Sequence, residues 1–164
     1  MIIRQYKNKD CDIVSKLFYE TVHSVNAKDY TVEQLSVWAN NADSLKIRHD
    51  DLLNQNTLIA EMNGVIIGFG SIDKSGCLDL LFVHKDYQKQ GVATALCNGL
   101  EKDLSIIKTY SSITAKPFFE RRGYVVVKAQ EVERLGVKLK NYEMQKVNCQ
   151  GLRRRGYGYI PNGR

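Results

Sequence analysis

The feature that most constrains this sequence lies in residues 82–96, where the hydrophobic period switches from strand to helix across a polar loop. The run Cys77–Val83 is apolar at nearly every position except Asp79, which predicts a strand buried on both faces. A polar stretch from His84 to Gln90 follows. From Gly91 the residues Val92, Ala95, Leu96, Leu100 and Leu104 recur on one side of a predicted helix over 91–104. A helix start leaves N–H groups unpaired at the positive end of its dipole, so the junction suits an anion, and phosphate is the usual one. Gly91 has no Cβ to block close approach, Ala93 and Thr94 keep the approach open, and Lys89 adds positive charge. The bland alternative is a helix start with no ligand. Neither GxxxxGK[ST] nor GxGxxG occurs, which argues against a P-loop nucleotidase and a Rossmann dinucleotide site.

The rest of the chain supplies the setting. Ile2–Gln5 is β-prone, and Ile13, Val14, Leu17, Phe18 and Val22 form an amphipathic helical stripe. Thr31 and Gln34 are spaced as a capping box for a helix running to about Asn40. Asp43 or Ser44 is placed to cap a third, short helix ending near Asn54. Two strands, 57–62 and 65–72, flank Asn63 and Gly64, a pair suited to a two-residue hairpin. Beyond the helix come a strand within 106–113, a short helix closed by Gly123, and two final strands over 124–129 and 137–146. This order predicts one α/β (α+β) domain over residues 1–147: a mixed sheet with helices on its faces. Residues 148–164 read as an irregular basic extension.

Composition narrows the function. The net charge is +6, but Arg153, Arg154, Arg155 and Arg164 supply +4 of it with no acid among the last fourteen residues, so the body carries only +2. That disfavours a nucleic-acid-binding face, and leaves the arginine–tyrosine tail as the weak basis for one. No run of about 18 apolar residues is present, as a membrane helix would need. No signal-like N-terminus is present either, so a cytoplasmic protein is expected. Cys11, Cys77, Cys97 and Cys149 form no CxxC and read as free thiols. His23, His49 and His84 are scattered, so no metal site is expected.

Two stretches together resemble one family. Gln88, Gly91 and Ala93 stand at the positions of the Q/R-x-x-G-x-G/A signature of the GNAT superfamily of acyl-CoA N-acyltransferases. Ala115, Phe118, Glu120 and Gly123 match that family's N-x-x-A-x-x-F-Y-E-x-x-G-F segment, in the right order and at the right distance. The resemblance covers residues 1–147. It implies a mostly antiparallel sheet of about seven strands, splayed between the fourth and fifth, with the pantetheine arm of acetyl-CoA in the gap. The backbone of Leu81, Phe82 and Val83 would pair with that arm. Gln88 and the amides of Lys89, Gln90, Gly91, Val92, Ala93 and Thr94 would surround the pyrophosphate. Ser112 stands where the family has Asn, which weakens a contact there, and Phe118 would pack on the arm or in the core.

The implied reaction is direct attack of a primary amine on the thioester, with a base for the amine, a donor for the oxyanion near Leu81 or Phe82, and an acid for the thiolate. Strand alternation places Asp79 on the face of Cys77, Leu81 and Val83; buried there, its carboxyl would have a raised pKa and act as base. The alternative is a partnered structural carboxylate. Phe119 replaces the family's usual acid tyrosine, which leaves Tyr110, Tyr142 or solvent. Tyr19, His23 and Tyr30 are candidate walls of the acceptor pocket, with Phe18 and Trp38 in the core. The acceptor is open: a small amine, an antibiotic amine, an amino acid or a peptide N-terminus. The competing class is an acyl-CoA-binding module without turnover. Family members are often dimers, and the closing strands or the tail would then pair subunits.

Overall fold

A computed structural model describes residues 1–148. The expected basic extension therefore lies outside the described residues, Asn148 apart. The elements run β1 (Ile2–Gln5), α1 (Cys11–Ser24), α2 (Val32–Trp38), α3 (His49–Asn54), β2 (Asn56–Met62), β3 (Val65–Ile72), β4 (Cys77–Val83), α4 (Val92–Glu101), β5 (Ile106–Ser112), α5 (Lys116–Arg121), β6 (Val125–Arg134) and β7 (Val137–Val147). The strands form one sheet in the order β1-β2-β3-β4-β5-β7-β6. Every pairing is antiparallel except β4 with β5, which α4 joins as a crossover.

Both faces are covered. On one, Val14, Leu17, Phe18 and Val22 of α1 and Leu35 of α2 pack with Ile59, Phe69 and Leu80. On the other, Val92, Leu96 and Leu100 of α4 pack with Leu58, Ile67, Leu78, Ile107 and Met144. Each such buried side chain contributes about 1.5–3 kcal/mol. The seating of α4 depends on Gly68 and Gly70 of β3. A Cβ at Gly70 would lie 2.9 Å from Leu100 Cδ1, and one at Gly68 would lie 3.0 Å from Val92 Cγ1.

The expected capping box forms: Gln34 N–H donates to Thr31 Oγ1 (3.2 Å), and Thr31 N–H donates to Gln34 Oε1 (2.9 Å). Neither Asp43 nor Ser44 caps α3. Asn41 turns the chain instead, accepting from the Asp43 N–H on its side-chain oxygen and from the Ser44 hydroxyl on its carbonyl, and α3 starts only at His49. The β6–β7 hairpin is longer than expected because β6 continues to Arg134. Its turn is Leu135 and Gly136, both at positive φ (50° and 79°).

Strand β4 departs from simple alternation. Ser71 pairs with Leu80 and Ile72 with Leu78, so Asp79 is the extra residue of a β-bulge. The bulge reverses the parity, which is why Leu78 shares a core with Leu81 and Val83 while Leu80 packs on the opposite face. The single face expected for Cys77, Asp79, Leu81 and Val83 by alternation is broken at the bulge, between Cys77 and Leu81.

Candidate active site

The bulge coincides with a break in the sheet. β4 pairs with β5 only at Cys77–Lys108 and Leu78–Thr109, and beyond Leu78 the two strands part. The Thr109 hydroxyl closes the last rung, donating to the Leu78 carbonyl at 2.8 Å. The carbonyls of Leu80 and Phe82 face β3, each within 3.2 Å of a Cβ built on Gly70 or Gly68. Alternation therefore turns the N–H and C=O of Leu81 and Val83 into the gap. Phe82 was expected to pair through its backbone as well; its peptide groups face β3, and its side chain lines the cavity instead. The expected burial of β4 on both faces is likewise incomplete, since Leu81 and Phe82 border the gap and are only partly buried.

The gap opens into a cavity of about 1260 Å³. At one end is the loop before α4. Gly91 is the N-cap residue at φ 81°, and Lys89 also has positive φ (59°). A Cβ on Gly91 would meet nothing within 4 Å, so its left-handed backbone and the space above it, not crowding, call for glycine. The first intrahelical bond is Ala95 N–H to the Gly91 carbonyl, which leaves the amides before it at the dipole's positive end. Gln88 fixes the loop: its Nε2 donates to the Val83 carbonyl at 2.6 Å. It is thus a positioning residue, and it occupies one of the gap-edge acceptors. Lys89, Gly91, Val92, Ala93 and Thr94 line the cavity; Gln90 does not, and its amide donates to the Asp86 carbonyl.

The other end is walled by aromatic rings. Phe18 meets Phe82 edge-on at 5.0 Å, Trp38 lies 6.4 Å from Phe82, and Tyr30 lies 5.3 Å from Trp38. Tyr30 is buried, and its hydroxyl donates to the Lys140 carbonyl and accepts from the Ile113 N–H. Burial raises its pKa, so it acts as a neutral strut between β7 and the end of β5. Tyr19 and His23 do not line the cavity. Their rings meet at 4.3 Å with a 41° tilt, and His23 Nε2 bonds the Ala39 carbonyl, which ties α1 to the end of α2.

The candidate catalytic groups separate in the same way. Asp79 lines the cavity at the point where β4 leaves β5, but it is not buried. Its side chain is 35% exposed and accepts from Arg48 Nη2 at 2.5 Å. The premise of a desolvated, unpartnered carboxylate therefore fails: Asp79 is paired with Arg48 and stays partly open to the cavity. Burial alone would lower the pKa of Arg48, but the hydrogen bonds and charges of Asp79 and Asp51 together outweigh it and raise it, keeping the guanidinium charged. Tyr110 lines the cavity with its ring half exposed. Tyr142, one register step away, falls on the opposite face, where its ring lies between the ammonium groups of Lys116 (5.3 Å) and Lys140 (5.4 Å). It is not among the residues that line the cavity. Ser112 and Phe118 line the cavity; the Ser112 hydroxyl accepts from the Ala115 N–H as α5 begins. Phe119 is buried against Tyr124 at 5.0 Å. Sequence reasoning missed Glu143 of β7, a cavity carboxylate paired with Lys108 at 3.3 Å and opposite Tyr110 in register. Alternation from buried Leu139 was the available signal, and it needed the strand register to be useful.

A sheet parted beside a bulge, with a glycine-opened helix start at one end of the gap, defines a class of protein, and a family model agrees. The acetyltransferase (GNAT) domain matches residues 26–146, and the chain belongs to that family. It is similar to the uncharacterized N-acetyltransferase YafP of Escherichia coli K12, at 35% identity over 143 residues (87% of this chain and 93% of that protein). Among solved structures, a GCN5-related N-acetyltransferase from Rhodopseudomonas palustris has 34% identity and a TM-score of 0.85, covering 90% of this chain and 95% of that one. YncA of Salmonella typhimurium, an acetyltransferase solved with acetyl-CoA, shares the fold at 19% identity and a TM-score of 0.65, over 90% and 93% of the two chains.

Proposed function

We propose that this chain transfers an acetyl group from acetyl-CoA to a primary amine by direct attack, without an acyl-enzyme intermediate. The observation that carries the reading is the parted β4–β5 edge running into the loop before α4. The free C=O of Leu81 and the N–H of Val83 can bond the pantetheine amides as an added strand would, which leaves the Leu81 N–H for the thioester oxygen. The α4 amides around Gly91, with Lys89, suit the pyrophosphate. Among the described residues no helix is long and apolar enough to cross a membrane. Cys11, Cys77 and Cys97 are free thiols, in keeping with the cytoplasm.

In this reading the neutral amine attacks the thioester carbon, and the carbonyl electron pair moves onto oxygen. The Leu81 N–H is the gap-facing donor for that oxyanion. Collapse breaks the C–S bond, and Tyr110 or solvent protonates the departing thiolate. The amine proton leaves through water to Asp79, whose carboxylate is held in place by Arg48 at the mouth of the gap. Glu143 is the second carboxylate in reach of the cavity.

The test combines acetyl-CoA calorimetry with an amine panel read by thiol release. Asp79→Asn should lower kcat/KM about 100-fold or more, the usual worth of a positioned base, with acetyl-CoA affinity retained. Loss in Glu143→Gln instead would move the base to β7. Phe119, which offers no hydroxyl, favours one second reading, a binding module. Tight acetyl-CoA binding with no thiol release from any amine would establish that reading instead.

A further inference from the structure

The acceptor end of the cavity carries a charge pattern that acetyl transfer alone does not require. Its wall comes from β5, β7 and β6, and register decides which side chains share it. Ser112, Asn141 and Gln130 stand opposite one another across the three strands, with Leu139 and Val132 in a neighbouring row. Directly opposed residues project to one face, and every second residue along a strand follows them. Gln130, Val132 and Arg134 of β6 therefore stand on the cavity side with Asn141 and Leu139, and all five line the cavity. The turn Asn26–Lys28 after α1 also contributes, and Lys28 lines the same cavity. The two sides are tied together by the Tyr30 hydroxyl on the Lys140 carbonyl and by Gln34 Nε2 on the Lys138 carbonyl.

The charges at this end are unbalanced. Both cavity carboxylates are already paired, Asp79 with Arg48 and Glu143 with Lys108. Lys28 and Arg134 have no acidic partner among the described residues. The remaining cavity cations are accounted for. Lys89 belongs to the loop before α4, Arg121 ends α5 beside the gap, and Lys140 turns its ammonium onto Tyr142. On the same wall, the Oδ1 atom of Asn141 is buried with no hydrogen-bond partner. The wall thus combines two cations without acidic partners and one unpaired amide oxygen, an acceptor, with the rings of Phe18, Tyr30, Trp38 and Phe82.

We propose that the acceptor is an amine that also carries an anionic group held by Arg134 and Lys28, its apolar body lying on the aromatic rings and the Asn141 Oδ1 left to accept from an N–H of the same molecule. The proposal rests on the acetyl-transfer reading. A guanidinium presents a planar fork to a carboxylate or a phosphate, and an ammonium adds a second charge. A polycation would meet two unpaired positive charges and two carboxylates already engaged, and like charges at close range are repelled. An amino acid, or a molecule with its chemistry, fits this wall; a polyamine or an aminosugar does not.

The experiment uses four acceptors with the full chain and acetyl-CoA, each compared at equal concentration of neutral amine: phenylalanine, its aminophosphonate analogue, phenethylamine and spermidine. One charge-assisted hydrogen bond corresponds to a preference of about tenfold or more. The expected result is that phenylalanine or the phosphonate exceeds phenethylamine in kcat/KM by at least that factor, the better of the two identifying the anion. In Lys28→Gln/Arg134→Gln the ratio should fall to near one, and in Arg134→Lys much of it should return. A preference for phenethylamine or spermidine overturns the proposal, as does a ratio that survives in the double variant. Acetyl-CoA affinity is measured alongside, and a variant that loses it as well counts against the assignment of these residues to the acceptor end. Acetyl-CoA binding with no thiol release from any amine would sink the acetyl-transfer reading and this proposal together; turnover without anion preference would sink this proposal alone.

Discussion

Gly91→Ala, set beside Gly64→Ala, separates a ligand contact from backbone strain. Both glycines have positive φ, 81° and 77°, and a Cβ at either would meet nothing within 4 Å. The two substitutions therefore carry the same penalty, about 1–2 kcal/mol for an L-residue in the left-handed region, and neither adds a clash. For a domain of this size that lowers Tm by about 2–8 °C, at roughly 2–4 °C per kcal/mol. Only Gly91 lies in the cavity, where its open side faces the proposed pyrophosphate. Losing one charge-assisted amide bond there would cost about 1.5–3 kcal/mol more, a 10- to 150-fold weaker acetyl-CoA Kd. The assays are thermal melts and calorimetric titration of both variants. Equal Tm losses with weaker binding in Gly91→Ala alone support the reasoning. Equal affinities in the two variants would refute it, because the glycine would then be needed only for the turn.

Further predictions concern stability and pH. Buried Glu101 accepts from Arg122 (2.8 and 2.9 Å), Lys146 (2.9 Å) and the Tyr124 hydroxyl (2.8 Å). Glu101→Gln should cost about 3–5 kcal/mol by leaving two cations unpaired, read by urea unfolding. Burial would raise the Glu101 pKa, but its hydrogen bonds to Arg122, Lys146 and Tyr124 win and lower it below the ordinary 4.5. Its contribution is therefore complete above that value and lost as pH falls through the depressed folded pKa, so the acid limb of the stability curve should flatten in Glu101→Gln. Tyr30→Phe should cost about 1–3 kcal/mol by removing two hydrogen bonds and leaving the Ile113 N–H unpaired, measured by thermal unfolding.

Where one face of an element is apolar, the sequence made it legible. The α1 stripe, the Thr31–Gln34 capping box, the Asn63–Gly64 turn and the bounds of β3 and β4 were all readable from period and turn chemistry. The glycine-opened start of α4 was readable too, because a glycine at a strand-to-helix junction is a local signal. The far end of the cavity was not. The far part of β6 carries Gln130, Glu131, Glu133 and Arg134, and such polar residues give no strand period until Leu135 and Gly136 turn the chain back. The bulge at Asp79 has no local signature, yet it alone changes which side chains share a face. Tyr19 and His23 read as pocket residues by their chemistry, and only packing shows that each is the other's partner.

The central claim is that acetyl-CoA completes the sheet along the open edge of β4. The most direct measurement is amide NMR of the labelled chain titrated with acetyl-CoA. Large shifts and slowed exchange at the Leu81 and Val83 amides and along Val92, Ala93 and Thr94, with Phe82 already protected by β3 before ligand is added, would bear the account out. Saturable binding that leaves Leu81 and Val83 unshifted and freely exchanging would contradict it, because the pantetheine arm would then lie somewhere other than the gap.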